Sequence, residues 1–314
     1  SSEVTSTIRE LEQKGILIIC IIIVLSLFLA YILSTVLVKP LARVTKAIED
    51  LTDGYQQDEI SVPDYTETEL ITDAFNKMLA RMKVLDESRS EFVSNVSHEL
   101  KTPMTSMKVL ADSLVGQQGV PEDLYQEFMR DITAEIDREN RIITDLLTLV
   151  KMDKKNADLQ IQHMSINQLL EDILKRLRPI ADKRNIDLIL DSFRPVEADV
   201  DELKFTSAIS NLVENAIKYN VDDGWVRVSL DADHKFFYVT VADSGMGIPE
   251  DSLSRIFERF YRVDKSHSRE IGGTGLGLAI TRSTIGMHHG VIKVFSKEGE
   301  GTTFSVRVPL SYIP

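Results

Sequence analysis

The sequence predicts a multidomain chain: a transmembrane helix, a parallel coiled-coil segment, a four-helix dimerisation bundle built by two copies, and an α/β two-layer C-terminal domain. Three observations predict it. Gly15 to Val38 is a run of 24 residues without one charged side chain. From Leu41 to Val150 apolar residues recur mostly at the 3/4 spacing of helices. Beyond Ile166, helical stretches are interleaved with short β-rich runs, the alternation clearest at Val226, Val228 and Leu230. The balance of 36 Lys+Arg against 49 Asp+Glu gives −13 over 314 residues, which argues against a generic nucleic-acid binder because phosphate-rich partners need clustered positive charge. An apolar fraction of 43% excludes global disorder.

The uncharged run is long enough to cross a membrane. As a helix it reaches about 36 Å, against a hydrocarbon core of roughly 30 Å. A signal peptide has a shorter apolar region and a small-residue cleavage site; here Lys39 and Pro40 follow instead. Lys39, Arg43 and Lys46 after the run outnumber Arg9 and Lys14 before it, a positive-inside vote for a single span with the C-terminal part cytoplasmic. The single Cys, Cys20, lies within the span and reads as a packing residue.

Pro40 suits a helix start, and Leu41, Val44, Ile48 and Leu51 follow at spacings of 3, 4 and 3 before Asp53-Gly54. After a polar connector, a second seam runs through Ile71, Phe75, Met78, Met82 and Leu85, extended by Phe92 and Val96 with a polar break near Ser88–Arg89. Two short helices joined by a connector directly after a span resemble a HAMP signal-relay domain; a plain coiled-coil stalk is the alternative. Either makes the protein a parallel dimer.

Ser97-His98-Glu99-Leu100-Lys101-Thr102-Pro103 carries the first chemistry. Glu99 adjoins His98 and can accept a proton from its ring, keeping the other ring nitrogen available as a nucleophile. Thr102 lies one helical turn on, and Pro103 predicts a kink there. A second helix is expected from about Glu122 to Asp153, with a seam through Phe128, Ile132, Ile136, Ile143, Leu146 and Val150. Two such hairpins per dimer make a four-helix bundle. Lys154–Asp158 reads as a charged hinge.

In the C-terminal part, helices are expected over Ile166–Lys183, Asp201–Tyr219 and Gly275–Met287. Strands are expected over Ile186–Leu190, Trp225–Leu230, Phe236–Ala242, Val291–Ser296 and Thr303–Val308. Four segments stand out. Asn211 and Asn215 share a helical face, where two amide oxygens could hold Mg²⁺, and Lys218 adds a phosphate-directed charge; taken alone, two Asn on a helix are better explained by capping or solvation. Asp243-Ser244-Gly245-Met246-Gly247-Ile248 follows a strand, so its carboxylate could accept from an exocyclic amine such as adenine N6. Gly272-Gly273-Thr274-Gly275-Leu276-Gly277-Leu278 opens a helix and makes an anion site from backbone N–H groups, without the Gly-Lys-Ser/Thr of a Walker loop. Gly299-Glu300-Gly301-Thr302 is a turn before the last strand.

Phe92 to Pro103 closely resembles the phosphoacceptor motif of sensor histidine kinases. In order and spacing, the four later segments resemble the N, G1, G2 and G3 boxes of the GHKL (Bergerat) ATP-binding fold shared by histidine kinases, gyrases and heat-shock chaperones. Ile256 to Arg262 resembles the F box, opening a lid from about Pro249 to Gly273. The resemblance implies that His98 takes a phosphoryl group from ATP, that Glu99 is its base, and that Thr102 positions water in the phosphatase reaction. It also implies that Asp243 reads adenine, that Tyr219 packs near the base, that Asn211 and Asn215 bind Mg²⁺, and that Arg262 reaches the γ-phosphate. ATP would also touch Gly245, Gly247, Ile248, Gly273, Thr274, Gly275, Leu276, Gly277 and Leu278. Hydrolysing relatives carry a Glu where Asn211 stands; an amide cannot serve as that base, so bound ATP is expected to wait for His98. A nucleotide-binding scaffold without kinase activity is the alternative.

The expected partners are a second copy of the chain, membrane lipid, and a cytoplasmic response regulator of the winged-helix transcription-factor type. The expected division is 1–14 as the stub of an extracytoplasmic sensor, 15–38 the span, 39–86 the relay, 87–154 the phosphoacceptor bundle and 155–314 the ATP-binding domain. His163, His234, His267, His288 and His289 show no metal-like spacing and read as surface or packing residues.

Overall fold

The computed structural model describes residues 2–39, 42, 45, 46, 66–116, 121–152, 159–263 and 273–313. Most of the first relay helix, its connector, the Lys154–Asp158 hinge, Gly272 and His267 lie outside the described residues. Two compact units are present, residues 1–91 and 92–314.

In the first unit, helix α1 (Ser2–Leu33) begins well before the uncharged run and ends in a π-helical turn, Ser34–Val38. Its stretch Lys14–Val36 is long and apolar enough to cross a bilayer. Helix α2 (Thr66–Val115) is one unbroken helix of 50 residues, of which Phe92–Val115 belongs to the second unit. The expected break at Ser88–Arg89 is absent: polar residues interrupt an apolar seam without interrupting a helix they are suited to form. The helix also continues through Pro103, which is buried.

Within the second unit, helix α3 (Glu122–Met152) buries one apolar face and leaves other apolar residues exposed. Ile136, Ile143, Leu147 and Val150 stay exposed. Leu149 is buried and packs with Leu276, Ala279 and Ile280, and Leu146, Met152 and Phe260 join the same cluster. Leu146, placed in the dimer seam by spacing, therefore belongs to the face that meets the C-terminal domain.

That domain is a helical layer on a mixed sheet. Strands β2 (Asp187–Ser192), β4 (Trp225–Ala232), β5 (Phe236–Asp243), β7 (Gly301–Pro309) and β6 (Val291–Lys297) lie in the order β2-β4-β5-β7-β6. Only β2–β4 is parallel. Strands β1 (Ile161–Ser165) and β3 (Glu197–Asp201) form a separate antiparallel pair that the sequence reading missed. Helices α4 (Ile166–Asp182) and α5 (Glu202–Lys218) give the core their apolar faces, Ile166, Leu170, Ile173 and Leu177 from one, Phe205, Ile209, Leu212 and Ile217 from the other. The sheet answers with Val226, Val228, Phe237, Val239, Val241 and Val306. Ser165 and Asp201 cap α4 and α5, accepting from the backbone N–H groups of Gln168 and Lys204. The short helix α6 (Glu250–Leu253) and helix α7 (Gly277–Met287) complete the layer.

His288, just past α7, ties two elements together. Its Nδ1–H donates to the Thr284 carbonyl at 2.8 Å, and its Nε2 accepts from the Asp201 N–H at 2.9 Å. Both partners require the neutral ring, and burial pushes its pKa down. A pKa below the unfolded value means the unfolded chain takes up the proton first as pH falls. This contribution is therefore full above about pH 6.5 and is lost below it. Between pH 7 and 5 unfolding free energy should therefore fall through this residue, and His288→Gln should flatten that slope in thermal melts across the window.

Candidate functional site

The C-terminal end of α5, the end of β5 and the start of α7 converge on a cleft of about 1560 Å³. Asn211, Asn215, Lys218 and Tyr219 line it from α5 and its C-cap. Asp243, Gly247 and Ile248 line it from the loop after β5, and Gly273, Thr274, Gly275, Gly277 and Leu278 from the start of α7. Arg262 also reaches it.

Asp243 is the buried acid of the cleft. Its Oδ1 accepts from the backbone N–H groups of Gly245 at 2.8 Å and Thr302 at 3.2 Å. Burial pushes its pKa up while those two donors pull it down. Gly245 does not line the cleft; it acts on the site through Asp243. The hairpin turn at Gly299–Thr302 serves the site in two ways: Thr302 lines the cleft, and its N–H fixes the carboxylate.

Asn211 donates from Nδ2 to the Thr281 hydroxyl on α7 at 2.9 Å, which fixes the amide. A Cβ on Gly277 would meet the Asn211 oxygen at 2.4 Å, so glycine lets α7 start against α5. The Lys218 ammonium lies 5.2 Å from the centre of the Tyr219 ring and beside Gly273. Leu276 does not line the cleft: it is fully buried against Leu149 of α3. The glycine loop presents backbone on one side and anchors to α3 through Leu276.

Several positioning residues carry no sequence signature. Arg184 donates to the carbonyls of Ile217, Lys218 and Asn220 at 2.8–2.9 Å, satisfying the C-terminal end of α5 where Lys218 and Tyr219 sit. Phe260 takes φ +63, which a bulky residue adopts only under outside constraint. Its N–H bonds the Gly275 carbonyl at 2.9 Å, and its ring lies 5.8 Å from that of Phe92 on α2. Arg138, Arg141 and Asp145 of α3 also line the cleft, and the Thr274 hydroxyl donates to Asp145 at 2.9 Å.

His98, Glu99 and Thr102 lie on α2 and do not line the cleft. His98 is exposed. Among the described residues Glu99 makes no hydrogen bond to the His98 ring, since successive side chains on a helix diverge around its axis. The Thr102 hydroxyl donates back to the His98 carbonyl at 3.1 Å.

Lys218 has the most perturbed charge of the cleft. Burial, then the neighbouring Arg262 and Arg141, push its pKa down to about 8. A polyphosphate beside it favours the charged form, so binding should take up a proton where the free group is half neutral. At pH 8 ATP binding should absorb about half a proton, read by calorimetry in two buffers of different ionisation heat. Lys218→Arg, always charged, should abolish the uptake.

Residues 88–155 match the family described as the His Kinase A (phospho-acceptor) domain. Residues 200–312 match the family described as the Histidine kinase-, DNA gyrase B-, and HSP90-like ATPase. The chain is 35% identical over 228 residues to the sensor histidine kinase WalK of Bacillus subtilis (strain 168), covering 72% of this chain and 37% of that protein. It is 30% identical over 307 residues to the heme sensor protein HssS of Staphylococcus aureus (strain Newman), covering 98% of this chain and 66% of that protein. The chain thus spans somewhat more than a third of the first relative and about two thirds of the second. Among solved structures, the histidine kinase ThkA in complex with the response regulator protein TrrA shares the fold, with TM-score 0.59 and 23% identity over 80% of this chain and 69% of that one. Two domain matches in this order, alignment along nearly the whole chain, a lined cleft in one domain and an exposed histidine in the other place the chain in the sensor histidine kinases of two-component systems.

Proposed function

We propose that the chain is an ATP-dependent autokinase that phosphorylates His98 and passes the phosphoryl group to an aspartate of a separate response regulator. The observation that carries this reading is the cleft itself: a buried carboxylate, a fixed amide, a perturbed ammonium and a glycine loop at a helix start, on one chain with an exposed histidine in a phosphoacceptor motif. Asp243 would accept from the adenine amine, Tyr219 would pack near the base, and Lys218, Arg262 and the 273–277 loop would hold phosphates. Asn211 and Asn215, one turn apart on the cleft wall, fit a hard cation that takes oxygen ligands. Mg²⁺ held there would neutralise phosphate charge. A neutral His98 ring nitrogen attacks the γ-phosphorus, the new P–N bond replaces the bond to the bridging oxygen, and ADP leaves. Glu99 would take the ring proton. Thr102 would position water for dephosphorylation of the partner after turning from the His98 carbonyl.

The exposed apolar residues on α3 support a homodimer, and the apolar stretch of α1 supports a membrane anchor with the ATP-binding part cytoplasmic. Residues 39–86 would relay the signal between them as a HAMP domain, and a winged-helix transcription factor would be the regulator. The chain in lipid nanodiscs, incubated with γ-labelled ATP, should acquire an acid-labile, base-stable label that His98→Gln abolishes. Label persisting in that variant would sink the assignment, and nucleotide binding without any label would favour a scaffold.

A further inference from the structure

The cleft is walled by the ATP-binding domain on most sides, and α3 lines the rest. Arg138 and Arg141 stand on α3 at i and i+3, and both line the cleft with Asn211, Asn215 and Lys218. Both approach Lys218 closely enough that they help depress its pKa, as does Arg262. Four cations therefore converge where the glycine loop opens α7. Two acids face them in part, Asp145 toward Arg141 and Glu214 toward Arg141 and Lys218, fewer than the four cations. Asp145 is engaged by the Thr274 hydroxyl, and Glu214 is faced by Arg176 and Lys218 as well as Arg141. Among the described residues Arg138 makes a long pair with Glu135 on its own helix, at 3.8 Å, and Arg141 a 3.4 Å contact to the Asp137 carbonyl. Neither contact would prevent a stronger acceptor from engaging the guanidinium.

The position of α3 is held by contacts of its own. Leu149 packs on Leu276, Ala279 and Ile280 of the ATP-binding domain, and Asp145 bonds Thr274. Phe92, on the phosphoacceptor helix, meets Phe260 and lies under the Arg259 guanidinium. His98 lines no part of the cleft in this arrangement.

We propose that Arg138 and Arg141 form a second phosphate-binding element, so that a nucleoside triphosphate in the cleft is gripped by both the ATP-binding domain and α3. This rests on the kinase reading and adds a resting pose to it. The triphosphate bridges the domain to α3, away from His98, and the bridge must open before the γ-phosphoryl group can reach the histidine. The arginines therefore favour ATP binding without assisting the transfer itself.

The test uses the whole chain in nanodiscs, with a fluorescent ATP analogue displaced by ATP or by adenosine. The double variant Arg138→Gln with Arg141→Gln keeps helix-forming residues on α3. It should lower ATP affinity about tenfold, leave adenosine affinity unchanged, and raise the KM for autophosphorylation without lowering kcat. The Lys pair, which keeps the charge, should restore most of the affinity. ATP affinity within about twofold of the parent, an equal loss for adenosine, or a fall in kcat at unchanged KM would each overturn the proposal. The kinase reading is judged separately: an unsubstituted chain that never labels His98 fails that reading, whereas normal labelling with unchanged ATP affinity in the double variant fails this one alone.

Discussion

Asp243→Asn should lower ATP affinity roughly a hundredfold, about 3 kcal/mol, while leaving the fold as stable as the parent or slightly more so. The two effects separate because the carboxylate's two oxygens have different duties. Oδ1 accepts from the Gly245 and Thr302 N–H groups, and an asparagine oxygen can take the same place. The other position then becomes an amide N–H₂, which would face the adenine amine donor to donor. Burial raises the Asp243 pKa, so the charge costs the folded state something, and its removal relieves that cost. The same geometry predicts a change of preference as well as a loss. Inosine triphosphate presents an acceptor where adenine presents a donor, so the variant should favour it over ATP, reversing the parent's order. Competition binding with the two nucleotides, beside thermal melts, checks all three outcomes. A parallel loss of stability and of both affinities would show that Asp243 is structural.

The site is unevenly legible in the sequence, and the reasons are physical. Asn211, Asn215, Lys218, Asp243 and the glycines stand in short local patterns, because a nucleotide in the proposed site would be met by a few residues at fixed spacing along a helix face or loop. The long elements were equally legible, since α3, α4, α5 and the five-stranded sheet each bury one periodic face. Strands β1 and β3 were missed because each has five residues and carries charge or histidine, as in Glu197-Ala198-Asp199-Val200-Asp201. Only Ala198 and Val200 of that strand enter the core, two residues being too few for a period. Exposed His163 explains the polar residues: it lies 2.8 Å from Asp199 and 3.3 Å from Glu197 across the strand pair.

Leu276 and Leu146 were misplaced for a different reason. Periodicity marks a residue as apolar and facing something; it does not say what. Leu276 stands in a glycine loop whose neighbours line the cleft, yet it is anchored to α3. Arg184 could not have been found at all. Its guanidinium gathers three carbonyls that lie 33 to 36 residues away in sequence. Motifs supply the groups that meet the ligand, and tertiary contacts decide how rigidly those groups are held.

Gly301 joins both kinds of constraint, and Gly301→Ala should be among the most damaging single substitutions in the ATP-binding domain. The residue opens β7 at φ +101, and a Cβ there would lie 2.0 Å from the Asp243 carbonyl oxygen. The obstacle is backbone of the neighbouring strand, so no rotamer change relieves it. Strain from the positive φ and overpacking together should cost about 3–4 kcal/mol, lowering the melting temperature of the domain by roughly 8–15 °C. ATP affinity should fall with it, because any shift of β7 moves the Thr302 N–H off the Asp243 carboxylate. Gly299, two residues earlier, separates the two causes. It also has positive φ, +79, yet a Cβ there would meet nothing within 4 Å. Gly299→Ala should therefore show the strain alone, about 1 kcal/mol, and leave ATP binding nearly intact. Equal destabilisation by the two variants would mean that the conformation, and not the closeness of β7 to Asp243, is what glycine supplies at 301.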